Sequence, residues 1–111
     1  MRKTTSTNFE NQEVLHEFCD AAVALNAISG RWKLSILGLL SNQPKRYKTI
    51  KESIPNITDR VLALQLKELE TDGLIIRKET DGLGYELTEI GQNMLPIIGQ
   101  LGNWGKAKKG I

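Results

Sequence analysis

Pro55 and Gly73 punctuate the most constrained part of this chain, the segment KRYKTIKESIPNITDRVLALQLKELETDGLI from Lys45 to Ile75. A residue preceding proline is pushed out of the helical region, so a helix starting near Tyr47 must stop at about Ser53. Thr58 is a good N-cap for a further helix, and Asp59 places a negative charge in its first turn. Leu62, Leu66 and Leu69 then recur at i, i+4 and i+7, a single apolar stripe. Asp72-Gly73 ends the helix, with glycine at the usual left-handed stop position. Two helices separated by a short turn over residues 54–57 are the layout of a helix-turn-helix.

The flanks are consistent with that layout. Residues 1–12 are polar and lack a helical period, which predicts a flexible N-terminal arm. Residues 13–109 then form one domain, as a chain of 111 residues should. A helix is expected from Val14, with Asp20 capping the segment DAAVALNAIS and Ser29-Gly30 breaking it. A second helix follows in RWKLSILGLLSN, where Trp32, Ile36, Leu37 and Leu40 share a face.

Beyond the helix-turn-helix, Asp81-Gly82 is a strong two-residue hairpin signal. Centred there, the hairpin pairs Thr80 with Leu83, Lys78 with Tyr85, Arg77 with Glu86 and Ile76 with Leu87. A register shifted by one would turn Ile76 into water. Thr88 caps a last helix, EIGQNMLPIIGQLGNWGKAKK, whose stripe is Ile90, Met94, Ile97, Leu101 and Trp104. Gly91, Gly99, Gly102 and Gly105 each cost that helix up to about 1 kcal/mol and Pro96 up to about 3 kcal/mol, so packing must stabilise it. The predicted fold is mainly α (α+β): a winged helix-turn-helix with a two-stranded wing and flanking N- and C-terminal helices.

Charge narrows the function. The net charge of +2 is uninformative, but its distribution is not. Residues 10–20 carry Glu10, Glu13, Glu17 and Asp20 with no lysine or arginine, whereas residues 45–67 carry Lys45, Arg46, Lys48, Lys51, Arg60 and Lys67 against Glu52 and Asp59. A basic section in a near-neutral chain suits a protein that offers one face to a polyanion. No apolar run reaches the roughly 18 residues that cross a bilayer. The start, MRKTTSTNFENQE, lacks the apolar core of a secretory signal. A single cysteine closes no internal disulfide, so a cytoplasmic setting is expected. His16 stands alone without a second ligand at metal spacing, and no nucleophile–base pair or phosphate-cradling loop is present, so neither metal, cofactor nor enzymatic activity is expected.

In combination, Gly-Arg-Trp at 30–32, LKELE-x-DGLI at 66–75 and YELTEIG at 85–91 resemble the HxlR-type winged-helix transcription regulators, over roughly residues 19–105. The last two motifs alone would also suit MarR-like regulators. The resemblance implies a homodimer joined through the first and last helices and bound to double-stranded operator DNA. Two departures stand out. The wing is shorter than the family's Pro-containing one, and Asp20 replaces a proline that commonly follows the cysteine.

On that reading the second helix of the motif enters the major groove with Thr58, Asp59, Arg60, Ala63, Leu64 and Lys67 outward. Arg60 is the candidate for bidentate guanine readout, and Ala63 and Leu64 offer contact to thymine methyls. Arg46, Lys48, Thr49 and Lys51, at or just before the first helix, and Lys78 on the wing, would hold phosphates. The expected dimer interface comprises Leu25, Ile28, Met94, Ile97, Ile98, Leu101 and Trp104. Some HxlR-type regulators sense oxidants or electrophiles through a cysteine at the position of Cys19; a helix N-terminus would activate that thiol, whereas Asp20 opposes it. A repressor acting on a two-half-site operator is the expected function. The alternatives are a winged helix that binds protein and a regulator with a small-molecule effector.

Overall fold

A computed structural model of the chain describes residues 2–79 and 82–110, with side chains from residue 11 onward. In chain order the elements are α1 (Arg2–Ile28), α2 (Arg31–Leu39), β1 (Lys45–Arg46), α3 (Tyr47–Ser53), α4 (Asp59–Thr71), β2 (Ile75–Lys78), β3 (Gly84–Leu87) and α5 (Glu89–Lys109). The three strands form one antiparallel sheet in the order β1-β3-β2. The molecule is therefore mainly helical with a small sheet, the winged helix-turn-helix layout.

Local chemistry explains the central elements. The Thr58 side chain accepts a hydrogen bond from Val61 N–H at 3.1 Å, the expected cap. Asn56 in the turn before it lies at φ 67°, a left-handed position that asparagine tolerates. At the far end of α4, Gly73 at φ 82° lets its N–H donate to Glu70 O and the Leu74 N–H donate to Leu69 O, both at 3.0 Å. That double bond pattern is a Schellman stop, and it lays Leu74 back onto the helix it terminates. Leu62, Leu66 and Leu69 are buried as their spacing predicts. They pack with Ile36, Leu37, Leu40, Ile50, Leu74 and Ile75 into one core, each worth roughly 1.5–3 kcal/mol of burial.

A tight knot joins the helix-turn-helix to α5. Thr88 N–H donates to Leu74 O at 3.0 Å, and the Thr88 hydroxyl donates to Gly73 O at 2.5 Å while accepting from Gly91 N–H at 3.1 Å. Gly91 is buried there with no room for a Cβ, which would run into the Leu74 carbonyl.

Four expectations are corrected. First, residues 2–12 are helical rather than an arm. No glycine or proline occurs between Arg2 and Ile28, so nothing interrupts the helix, and Asp20 lies inside it rather than at a cap. Second, the hairpin register is shifted by one. Ile75 pairs with Leu87, Ile76 with Glu86, Arg77 with Tyr85 and Lys78 with Gly84. Ile75 is buried and Ile76 is 40% exposed, because the Schellman stop pins Leu74 and Ile75 onto α4 and so sets the strand's phase. The turn residues Thr80 and Asp81 lie outside the described residues, and Gly82 takes φ 100°. Third, the wing gains a third strand, with Lys45 opposite Tyr85 and Arg46 opposite Gly84. Two residues carry no periodicity from which that strand could be read.

Fourth, the apolar stripe on α5 divides. Gly91 and Met94 face the core, with Leu95 and Ile98 packed against it, whereas Ile90, Ile97, Leu101 and Trp104 remain exposed. On α1, Val14, Leu15, Phe18, Val23 and Leu25 are also exposed, and among the described side chains of this helix only Ile28 is buried. The radius of gyration is 18.1 Å, against about 13 Å for a compact domain of this length. The excess reflects helices that project beyond the core. No helix among the described residues is long and apolar enough to cross a membrane.

Candidate nucleic-acid interface

With one stripe of α4 committed to the core, the opposite side projects from the molecule. Thr58, Arg60, Ala63, Leu64 and Lys67 are all exposed there, and Leu64 is 53% accessible. Among the described residues, neither Arg60 nor Lys67 is in an ion pair, so both cations are available to an external anion. The other flank of α4 is occupied. Glu68 accepts an ion pair from Lys33 of α2 at 2.8 Å, and the Lys33 side chain is only 9% exposed. Gln65 and Glu68 line a hollow of about 500 Å³ between α2 and α4, floored by Trp32 and Lys33 and away from the exposed ridge. The Arg31 guanidinium covers the Trp32 ring at 4.4 Å.

Helix α3 is tied to the start of α4 through Asp59. The Tyr47 hydroxyl donates to the Asp59 carboxylate at 3.0 Å. Burial first, and then that hydrogen bond, push the Tyr47 phenol above its usual range, so it stays a donor. Lys51 stands 3.9 Å from the same carboxylate, with its side chain about one-third exposed. Asp59 is thus turned toward α3 and leaves Arg60 as the forward charge at the helix start. Lys48 and Thr49 are exposed on α3 beside this junction.

The wing adds cations in a different arrangement from the expected one. Lys78 pairs with Glu86 at 3.1 Å and Arg77 with Glu79 at 3.3 Å, so the anticipated Arg77–Glu86 pair is absent. The register shift accounts for this, since it puts Lys78 and Glu86 on one face and Arg77 beside Tyr85. Both pairs are well exposed, and such pairs are worth only about 0–1 kcal/mol, so a phosphate can compete for Lys78. Because β1 and β2 flank β3, Arg46 and Lys78 both lie opposite Gly84 and share one face of the sheet with Glu86, beside a hollow of about 330 Å³. The Arg46 guanidinium also reaches toward Gly82.

Two contacts of this arrangement, Tyr47–Asp59 and Lys33–Glu68, have no counterpart in the sequence expectations. Tyr47 and Asp59 find each other only when α3 packs on α4. Lys33 left a detectable signal, since it precedes Ile36 by three residues and Leu37 by four and so falls on the buried stripe.

The remaining candidates separate by burial. Ile28 (3%) and Met94 (9%), expected at a dimer interface, are buried in the chain's own core. Leu25, Ile97, Leu101 and Trp104 are exposed, and Ile98 is half-buried. Cys19 is exposed in the middle of α1 rather than at a helix N-terminus.

A model of the HxlR-like helix-turn-helix family matches residues 27–110. The chain is 40% identical over 91 residues to the HTH-type transcriptional regulator YkvN of Bacillus subtilis (strain 168), covering 78% of this chain and 77% of that protein. Among solved structures, a transcriptional regulator of the MarR family from Enterococcus faecalis V583 superposes with a TM-score of 0.76 at 32% identity, covering 82% and 86% of the two chains. The redox regulator HypR in its reduced form superposes with a TM-score of 0.74 at 33% identity, covering 81% and 93%.

Proposed function

Because this chain belongs to the HxlR-like helix-turn-helix family of transcription regulators, we propose that it acts as a cytoplasmic homodimeric repressor on a two-half-site operator. The carrying observation is the exposed ridge of α4, where Arg60 and Lys67 stand clear of the core and form no ion pair among the described residues. Set into a major groove, Arg60 would read guanine bidentately, while Ala63 and Leu64 would meet thymine methyls. Thr58, Lys48, Thr49 and Lys51 would grip phosphates on one side, and Arg46 with Lys78 on the other.

Dimerisation is supported by the apolar surface that the lone chain leaves in water. Val14, Leu15, Phe18 and Leu25 on α1, and Ile90, Ile97, Leu101 and Trp104 on α5, are all at least 43% exposed. Two large apolar faces on projecting helices call for a partner, and a second copy satisfies them symmetrically. Operator half-sites would then lie about one helical turn, roughly 34 Å, apart.

Fluorescence anisotropy with random duplex tests the core of the proposal. A DNA-reading ridge gives weak, salt-sensitive affinity even without the operator. Salt-independent or absent binding would make the same face a protein-docking surface instead. Oxidant sensing is a second element, favoured by the exposed thiol of Cys19 and by the likeness to HypR. Diamide would oxidise two Cys19 thiols, one from each subunit, to an intersubunit disulfide and itself become the hydrazine. Release of DNA by diamide that persists in Cys19→Ser would remove this element.

A further inference from the structure

The charges that the DNA face does not use fall into two complementary groups. Glu13, Glu17 and Asp20 are exposed along α1 at spacings of four and three residues, so they share one flank of the helix, beside the apolar stripe of Val14, Phe18 and Leu25. Lys106, Lys108 and Lys109 are exposed in the last turn of α5. Lys108 continues the exposed stripe of Ile90, Ile97, Leu101 and Trp104 at helical spacing, a row about 27 Å long at 1.5 Å per residue. Among the described residues, none of these six groups has an intrachain ion pair. Both groups also lie on the half of their helix that leaves the core: α1 first packs against it near Ala24, and α5 last packs against it at Ile98.

We propose that these groups pair across the dimer, the acidic flank of α1 in one copy seating the lysine-bearing end of α5 in the other. The inference rests on the homodimer proposed above and adds what aligns it. A buried apolar stripe gives affinity but tolerates sliding, because one apolar residue replaces another at little cost. Charges at the rim of that stripe supply register and partner choice. Twofold symmetry creates the contact twice, so an acidic patch and a basic patch on one chain are mutually satisfied with no third component. The basic end of α5 also complements its own helix dipole. That role explains a single cation in the last turn but not the facing anionic flank on α1.

Two charge-reversed full-length chains test the pairing. One carries Glu13→Lys, Glu17→Lys and Asp20→Lys; the other carries Lys106→Glu, Lys108→Glu and Lys109→Glu. Sedimentation equilibrium of each alone should show a homodimer Kd raised roughly 100-fold, since each exposed attraction becomes a repulsion of similar size. An equimolar mixture should form a heterodimer within about tenfold of the wild-type Kd, because every contact again joins opposite charges. Circular dichroism checks that both variants remain helical, and Lys→Gln versions at the same three positions cover any fraying of the last turn. Unchanged homodimers, or a mixture that fails to recover, would overturn the pairing while leaving the dimer intact. Lysine reversal that weakens DNA binding by a preformed dimer, with no change in dimer Kd, would assign those lysines to phosphate and also overturn it. A wild-type chain that stays monomeric would remove the homodimer itself, and the pairing with it.

Discussion

Replacing Gly91 with alanine sets helix propensity directly against packing. In a solvated helix the change is favourable by up to about 1 kcal/mol, because alanine loses less conformational freedom. At Gly91 the new methyl would collide with the Leu74 carbonyl oxygen and would meet Leu87 Cδ2 at 3.2 Å. That carbonyl cannot easily retreat, since it accepts the Thr88 N–H at 3.0 Å and belongs to the stop that terminates α4. Relief requires α5 to move away from β2 and the Thr88 bond to stretch. Overpacking of this kind costs about 1–3 kcal/mol, and weakening a hydrogen bond about 1 kcal/mol more. A net loss of about 2–3 kcal/mol is expected, a fall in Tm of roughly 10 °C for a domain of this size. Gly38→Ala is the control, because Gly38 is exposed in α2 and a methyl added there would meet nothing within 4 Å; it should stabilise by up to about 1 kcal/mol. Thermal unfolding followed by circular dichroism at one fixed protomer concentration measures both. A Gly91→Ala protein as stable as wild type would show that the α4–β2 turn does not abut α5 as described.

The Lys33–Glu68 pair should respond asymmetrically. Glu68→Ala leaves a nearly buried ammonium without its partner and should cost about 1–3 kcal/mol, whereas Lys33→Met leaves a 44% exposed carboxylate that water can solvate and should cost less than about 1 kcal/mol. Equal costs in urea titrations would refute the difference in burial. Arg60→Ala should lose about 1–3 kcal/mol of discrimination at one operator position, while Lys48→Ala should weaken all duplexes alike; binding to operator and single-base variants separates these outcomes. Wild-type gel shifts should give a log–log salt slope near −5 to −9 if a dimer engages about six to ten phosphates. A flat response would remove the phosphate assignments.

Local rules recovered the elements whose signals are short-range. The bounds of α3, the Thr58 and Thr88 caps, the buried face of α4 and the Gly73 stop each depend on residues within one or two turns of each other. The ridge carrying Arg60 and Lys67 followed from them, because a helix with one leucine stripe inward has its opposite side outward. The failures arise where a local pattern leaves more than one arrangement open. Leu74, Ile75 and Ile76 are three apolar residues in succession, so alternation alone could not choose which faces inward. The choice came from the backbone bond between Leu74 and Leu69, and it determined that Lys78 rather than Arg77 meets Glu86. The apolar surface of α5 was read as one stripe because its two faces differ only in what lies beside them.

Order along the chain was therefore enough to establish a helix-turn-helix with a cationic outer face, since caps, stops and stripes are stabilised by near neighbours. Only the folded molecule decided the pairing of β1 with β3, the contact of Lys33 with Glu68 and the steric need for Gly91. Each of those depends on contact between segments far apart in sequence, where the identity of a residue leaves its eventual neighbour open.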